Sequence, residues 1–265
     1  MKEGTPRIKA YLAGPDVFLP NPIQIGKDKK KLLDGYDIEG CYPFDNELPL
    51  GEAKEPRELA FAIAQGNEDM MSKCNVILAN LMPWYGPGTD NGTSFEMGFM
   101  SARAIHDPNV LIIGYYPDGI PEKFSARISS MVYNGRVSTN SEGFMSSTET
   151  GRGIESFGLS DNLMIEGAIQ KTGGKIYGSF AEAAANVKSL LAEKQKKQGA
   201  PKESKSSSDL NAKPQQQLAP KKDENTLWGY GLATCSGVGA LKAVAGVVAV
   251  VGGVAYAAKR NKFFF

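Results

Sequence analysis

The chain has 265 residues, with 30 basic and 29 acidic side chains and a formal charge of +1. That balance gives no global field to attract nucleic acid, so no nucleic-acid partner is expected. One histidine and three widely spaced cysteines, Cys41, Cys74 and Cys235, argue against a histidine triad, a metal site or a disulfide framework.

The first residues, Met1 to Arg7, have no apolar stretch of the kind a secretory signal needs. Ile8 to Ala13 reads as a short strand ending at Gly14-Pro15. The turn through Asp16, Val17 and Phe18 then lies at the strand's carboxyl end, the ligand edge of a parallel sheet. Tyr11 is the last large side chain before the turn. Its hydroxyl either reaches a carboxylate in a site or belongs to a half-buried strand tyrosine. Phe18 is either core filler or an aromatic face for a flat base. Ile23 to Leu33, with four lysines, reads as a solvated helix. Gly40 to Pro43 is a second short strand, and a loop continues to Pro56. A helix from about Arg57 to Lys73 would turn Leu59, Ile63, Met70 and Met71 inward, with Asn67, Glu68 and Asp69 in its second half.

Asn75 to Leu81 is a buried strand, and Met82 to Gly88 a loop carrying Trp84 and Tyr85 that covers a flat ligand or packs on itself. The stretch Thr89-Asp90-Asn91-Gly92-Thr93-Ser94-Phe95-Glu96-Met97-Gly98 follows and opens a helix. Its carboxylates, Asp90 and Glu96, stand six residues apart. Thr93-Ser94-Phe95-Glu96 fits a capping box, which places Glu96 in the first turn, where the helix dipole favours an ionised carboxylate. Glu96 is therefore either a cap or a nucleophile for an electrophilic carbon.

His106 reads as a helix terminus, and Val110 to Tyr116 as another buried strand. Residues 116–153 are rich in Ser, Thr, Gly and Asn and predict an extended insertion without sustained periodicity. Ser160 or Asp161 would cap a helix over Leu163 to Thr172, stopped by Gly173-Gly174. Lys175 to Gly178 is a last strand. Ser179 caps a helix to about Lys197, with Ala181, Ala184, Val187, Leu190 and Leu191 on one side.

This count predicts an α/β domain over residues 1–195, a three-layer sandwich with a mostly parallel five-stranded sheet, flavodoxin-like in kind. Residues 196–226, dense in Lys, Ser, Gln and Pro, read as a disordered linker. Residues 227–265 predict a C-terminal hydrophobic helix. Leu227 to Ala258 carries one charge, Lys242, with Trp228, Tyr230 and Tyr256 at its ends and a small-residue face of Ala249, Gly253 and Ala257. A transmembrane tail anchor is expected, with the domain facing the cytosol on an organelle membrane; a soluble hairpin docked on the domain is the alternative.

Three separated stretches, Ala10 to Phe18, Asp90 to Gly98 and Phe157 to Met164, together resemble the nucleoside 2-deoxyribosyltransferases. The resemblance implies Glu96 as nucleophile, Asp90 as a carboxylate handling the base and its proton, and Tyr11 as the residue orienting Glu96. It implies Gly14, Asp16, Phe18, Asn67, Gly92 and Asn162 as substrate-binding. Asn67 falls where some members have an aspartate near the base. Asn162 falls on an asparagine given across a subunit interface, so a homo-oligomer is implied. The implied partners are a deoxynucleoside and a free nucleobase, with no metal and no cofactor.

The implied reaction is transfer of 2-deoxyribose between bases, with retention, through a deoxyribosyl ester of Glu96. Hydrolysis of deoxynucleosides or their 5′-phosphates is a sibling reading. A non-catalytic, membrane-tethered nucleotide-binding module is a third. Asp16 beside Gly14-Pro15, an acid where a phosphate would want donors, favours an unphosphorylated substrate.

Overall fold

A computed structural model describes residues 7–46 and 55–199. The chain opens with β1 (Ile8–Ala13), a 3-10 turn (Pro15–Phe18) and α1 (Pro22–Asp34). Then come β2 (Ile38–Cys41), a second 3-10 turn (Pro43–Asp45), α2 (Pro56–Ser72), β3 (Val76–Asn80), α3 (Asn91–Arg103) and β4 (Leu111–Tyr115). A short helix, α4 (Phe124–Met131), precedes β5 (Val137–Thr139), β6 (Met145–Ser147) and β7 (Gly153–Ile154). The domain closes with α5 (Leu163–Lys171), β8 (Ile176–Tyr177) and α6 (Phe180–Gly199).

The main sheet has five strands in the order β2-β1-β3-β4-β8, every pair parallel. Each parallel step needs a crossover, and the helices supply it, α1 and α6 on one face and α2, α3 and α5 on the other. Successive strand residues point to opposite faces, and the core divides accordingly. Ala10, Leu12, Val76, Leu78, Leu111 and Ile113 meet Leu33 of α1 and Ala183, Val187 and Leu190 of α6. Tyr11, Ala13, Ile77, Ala79 and Ile112 meet Met71 of α2, Met97 and Met100 of α3, and Ile165 and Ile169 of α5. The three layers and the parallel five-stranded sheet are those the sequence predicts.

Four details differ. β2 ends at Cys41, because Pro43 starts a 3-10 turn and its missing N–H cannot continue a ladder. On α6 it is Ala183 that is buried, whereas Ala181 is exposed. Residues 116–153 are not a structureless insertion: they form α4 and a separate antiparallel sheet, β5-β6-β7. Its strands are two or three residues long, too short to show a period. The polar residues that read as loop make its turns. Asn140 Oδ1 accepts from the N–H groups of Glu142 and Phe144, and Ser147 Oγ from those of Glu149 and Thr150. Finally, Asn162, not Ser160 or Asp161, caps α5, its Oδ1 accepting from Met164 N at 3.0 Å. The cap of α6 is as predicted, Ser179 Oγ accepting from Glu182 N.

Most of the predicted linker and the whole predicted tail anchor, residues 200–265, lie outside the described residues. Among the described residues no helix is long and apolar enough to cross a membrane.

The α5–β8 connection is the tightest backbone approach in the sheet. A Cβ on Gly174 would fall 1.7 Å from the Ile112 carbonyl oxygen, which a backbone atom cannot yield. Gly174→Ala should therefore lower the unfolding free energy by about 2 kcal/mol or more, read as a shift of the urea midpoint at unchanged slope.

Candidate active site

The carboxyl ends of β1 and β3 are adjacent, because Ala13 pairs with Ala79. Gly14 lets them close up: its φ is +149°, and a Cβ there would sit 2.6 Å from Asn80 Cβ. Above this edge α3 begins. Its N-cap is Asp90, whose Oδ2 accepts from Thr93 N at 3.0 Å and Thr93 Oγ1 at 3.3 Å. The predicted capping box is therefore displaced by three residues. Glu96 is the sixth residue of the helix, not the third, and takes no part in capping. Gly92 keeps space beside that cap, since a Cβ there would lie 3.0 Å from Asp90 Oδ2.

Freed from the cap, Glu96 turns toward β1. Tyr11 Oη donates to its Oε1 at 2.6 Å. Tyr11 is wholly buried, and burial together with the Glu96 charge pushes its phenol far above the usual range, so it is a fixed donor. Burial raises Glu96 to about 7; the Tyr11 bond opposes this and the nearby Asp90 charge adds to it. The expectation that the helix dipole keeps Glu96 acidic is thus reversed. Past the first turn the dipole is weak, and desolvation wins.

The other predicted residues divide. Phe18 is 50 % exposed and stacks on Trp84, ring centroids 5.9 Å apart. Asn67 lies on α2 one turn before Met71, which packs in the same layer as Tyr11. α2 runs against the strands, so that turn carries Asn67 toward the carboxyl edge. Its Oδ1 is buried without a hydrogen-bond partner, as are Asn46 Nδ2, Tyr42 Oη and Trp84 Nε1. Such groups cost free energy when unpaired, and a polar, flat ligand would supply partners. Asn46 packs against the α2 backbone at Gly66, where a Cβ would lie 1.8 Å from its Nδ2.

Asp16 is buried beneath the turn. Its carboxylate points inward, 2.6 Å from Lys29 Nζ, and both oxygens accept from Asn80 Nδ2 at 3.2 Å. Lys29 also donates to Tyr115 Oη at 2.6 Å. Burial lowers the Lys29 pKa while Asp16 opposes the shift. Asp16 therefore fastens the turn to β3. Its charge is balanced, so the expected repulsion of a substrate phosphate does not follow.

Asn162 is engaged on its own helix and makes no hydrogen bond to Glu96. While its Oδ1 caps α5, its Nδ2 donates to Glu155 Oε2 at 2.6 Å. It lines a groove of about 560 Å³ between α3 and α5, together with Ser94, Gly98, Ile105 and Met164. Glu96 is not among the groove's lining residues. Ile105 and Met164 on this face are 66 % and 72 % exposed.

Sequence reasoning missed the pair that ties the site together. Arg127 of α4 is buried and donates to the carbonyls of Pro87 at 2.8 Å, Glu122 at 2.6 Å and Ser160 at 2.7 Å. Its guanidinium lies 3.7 Å from Asp161 Oδ2. That oxygen also accepts from Thr89 N and Oγ1, at 3.2 and 2.8 Å. Loop 82–89, α4 and the 157–162 stretch are thus pinned at one point beside Asp90. A lone arginine in a polar stretch carries no sequence signal for this. Among the described residues no group of three His, Cys, Asp or Glu side chains is placed to hold a metal ion.

The family model for nucleoside 2-deoxyribosyltransferases matches residues 10–164. An uncharacterized protein of Schizosaccharomyces pombe is 29% identical over 176 residues, covering 64% of this chain and 81% of its own. A 2-desoxiribosyltransferase from Leishmania mexicana aligns with a TM-score of 0.47 at 27% identity, covering 68% of this chain and 97% of its own. A conserved protein from Enterococcus faecalis V583 aligns at 0.42 with 16% identity, covering 69% and 98% respectively.

Two outcomes follow from the electrostatics. Glu96 holds its proton more tightly folded than unfolded, so the stability this contributes is full below about pH 4.5 and is lost as pH rises to about 7. Glu96→Gln should therefore melt higher than the parent at pH 8, by on the order of 1–3 kcal/mol, with the difference shrinking toward pH 5 in matched calorimetric scans. Arg127→Met leaves Asp161 buried without its cation. It should cost about 3–5 kcal/mol and speed amide exchange in both 82–89 and 157–162.

Proposed function

The chain belongs to the nucleoside 2-deoxyribosyltransferase family, and from that premise we propose that it moves 2-deoxyribose from one nucleobase to another through an ester on Glu96. The observation that carries this reading is the 2.6 Å bond from Tyr11 to Glu96 Oε1. It fixes the carboxylate at the carboxyl edge of the sheet.

In the first step an ionised Glu96 oxygen attacks C1′ of a 2′-deoxynucleoside while the bond to the base breaks. Positive charge builds on the sugar, and Glu96 and Asp90 stabilise it. The hydrogen bonds that Asp90 accepts from Thr93 both fall on Oδ2, so Oδ1 is the oxygen that hands a proton to the departing base as the C1′–N bond breaks. The carboxylate left behind faces the cation, and the incoming base returns a proton to it. A second base then attacks C1′ from the face the first one left. This restores the original configuration and frees Glu96. Tyr11 holds the carboxylate in line and lets it ionise despite burial. Phe18 supplies a flat wall for the base, and Asn67 a polar edge.

Asn162 joins this reading through a second copy of the chain. The α3–α5 groove with exposed Ile105 and Met164 is where the copy would dock, giving a homo-oligomer in which Asn162 serves a neighbour's sugar. Residues 227–265 would anchor the domain to an organelle membrane facing the cytosol; sodium carbonate should then fail to extract the full chain. Hydrolysis is the second reading. The Lys29–Asp16 pair removes the charge that would repel a 5′-phosphate, so phosphorylated substrates belong in the assay.

With 2′-deoxyinosine, wild type should gain one deoxyribosyl mass that adenine discharges into 2′-deoxyadenosine, and Glu96→Ala should gain none. Discharge by water alone, without a new nucleoside, would select hydrolysis. The absence of any adduct or base release, with pyrimidine and 5′-phosphate substrates included, would reduce the chain to a binding module. The rate of glycosyl transfer should rise with pH through about 7 as Glu96 ionises. Tyr11→Phe should shift that limb upward, because the Tyr11 bond lowers the Glu96 pKa, and reduce kcat about 10- to 100-fold.

A further inference from the structure

Phe18 and Trp84 come from the ends of adjacent strands and meet at 5.9 Å, with planes within 17° of parallel. That spacing is a stacked contact, and no third ring fits between them. The contact satisfies the indole badly. Trp84 Nε1 is buried and has no hydrogen-bond partner, although a buried indole N–H usually finds one.

The hairpin that carries Trp84 is tied on both legs. Asn80 Oδ1 accepts from Met82 N, Pro83 bridges Thr89, Trp84 N donates to Gly88 O, and Arg127 Nε donates to Pro87 O. Tyr85 and Gly86 stand between these ties. Tyr85 has φ +54°, a left-handed conformation costly for a residue with a bulky side chain. Its ring is 95 % exposed and lies 5.1 Å from Trp84, tilted by 54°. At Gly86 a Cβ would meet open space. Trp84 thus has Phe18 on its inner side and Tyr85 on its outer side. The indole's position is not fixed by a hydrogen bond of its own, and the ties above are all to the hairpin's backbone.

We propose that Trp84 is a gate that occupies the base slot at rest: the indole covers the Phe18 face that a nucleobase takes, and binding swings it outward toward Tyr85. This rests on the reading of the site as a nucleobase site. Closed and open forms are then two populations, and the measured affinity is the intrinsic one reduced by the open fraction. The alternative, in which Trp84 is a permanent second wall, reverses the sign of the mutational effect. Removing a wall weakens binding, and removing a placeholder strengthens it.

The test uses the full chain with Glu96→Ala, so that bound 2′-deoxyinosine is not turned over. Trp228→Phe is added so that Trp84 is the sole tryptophan of the two in the sequence. On titration with 2′-deoxyinosine the Trp84 emission should move to the red as the indole reaches water. By calorimetry, Trp84→Ala should bind about 2- to 10-fold more tightly, the size of one lost aromatic stack, whereas Phe18→Ala should bind more weakly. Weaker binding by Trp84→Ala, or an unchanged emission at calorimetric saturation, overturns the gate while leaving base exchange by the wild type standing. If 2′-deoxyinosine binds neither variant and wild type exchanges no bases, the gate and the nucleobase reading fall together.

Discussion

A phenol buried under a sheet edge, donating to a carboxylate from the helix above, is the interaction around which the rest of the site is arranged. Tyr11 can reach Glu96 because β1 and β3 are neighbours in a parallel sheet and α3 follows the hairpin that leaves β3. The bond does two opposing things. Burial makes Glu96 reluctant to ionise, and the Tyr11 hydroxyl restores part of the stability of the anion. A carboxylate near the balance point is accessible in both forms at neutral pH. Exposed, it would be ionised but well hydrated; buried without Tyr11, it would hold its proton.

Two buried ion pairs do similar structural work on either side of that bond. Lys29–Asp16, extended by Asn80, ties the turn after β1 to the end of β3. Arg127–Asp161, extended by Thr89 and Tyr116, ties the hairpin after β3 to α4 and to the start of α5. Buried pairs are weak sources of net stability, because desolvation offsets attraction, but breaking one leaves an uncompensated charge. Their use here is positional. Loops at the edge of a parallel sheet have few apolar contacts, and a charge with several hydrogen bonds fixes them where packing cannot. The hairpin tip at Tyr85 and Gly86 lies outside both clamps.

Several features could be read from residues alone. β1 is bounded as Ile8–Ala13 by a mostly apolar run and a Gly-Pro stop, and α6 begins after Ser179 as its cap predicts. The two misplaced helix starts share a cause: capping competition. Thr93 and Asp90 can each cap α3, and Asp161 and Asn162 can each cap α5. In both cases local chemistry allows two starts. The choice is made by what the helix must then bury, Met97 and Met100 in one case and Ile165 and Ile169 in the other. The accessory sheet escaped notice because strands of two or three residues carry no period.

The sequence by itself determined the alternation of strands and helices, and with it a parallel sheet, its carboxyl edge and the stretches lying on that edge. These follow from patterns of polarity and turn chemistry, which are local. Only the tertiary structure decided what each polar side chain does there. Asp16 faces inward to Lys29, Glu96 faces Tyr11, Arg127 joins three segments, and Asn162 stays on its own helix. A carboxylate's role depends on which charge and how much water lie within a few ångströms. Those neighbours come from residues 13 to 85 positions away in the chain, Lys29 from Asp16 and Tyr11 from Glu96, distances over which residue order carries no rule.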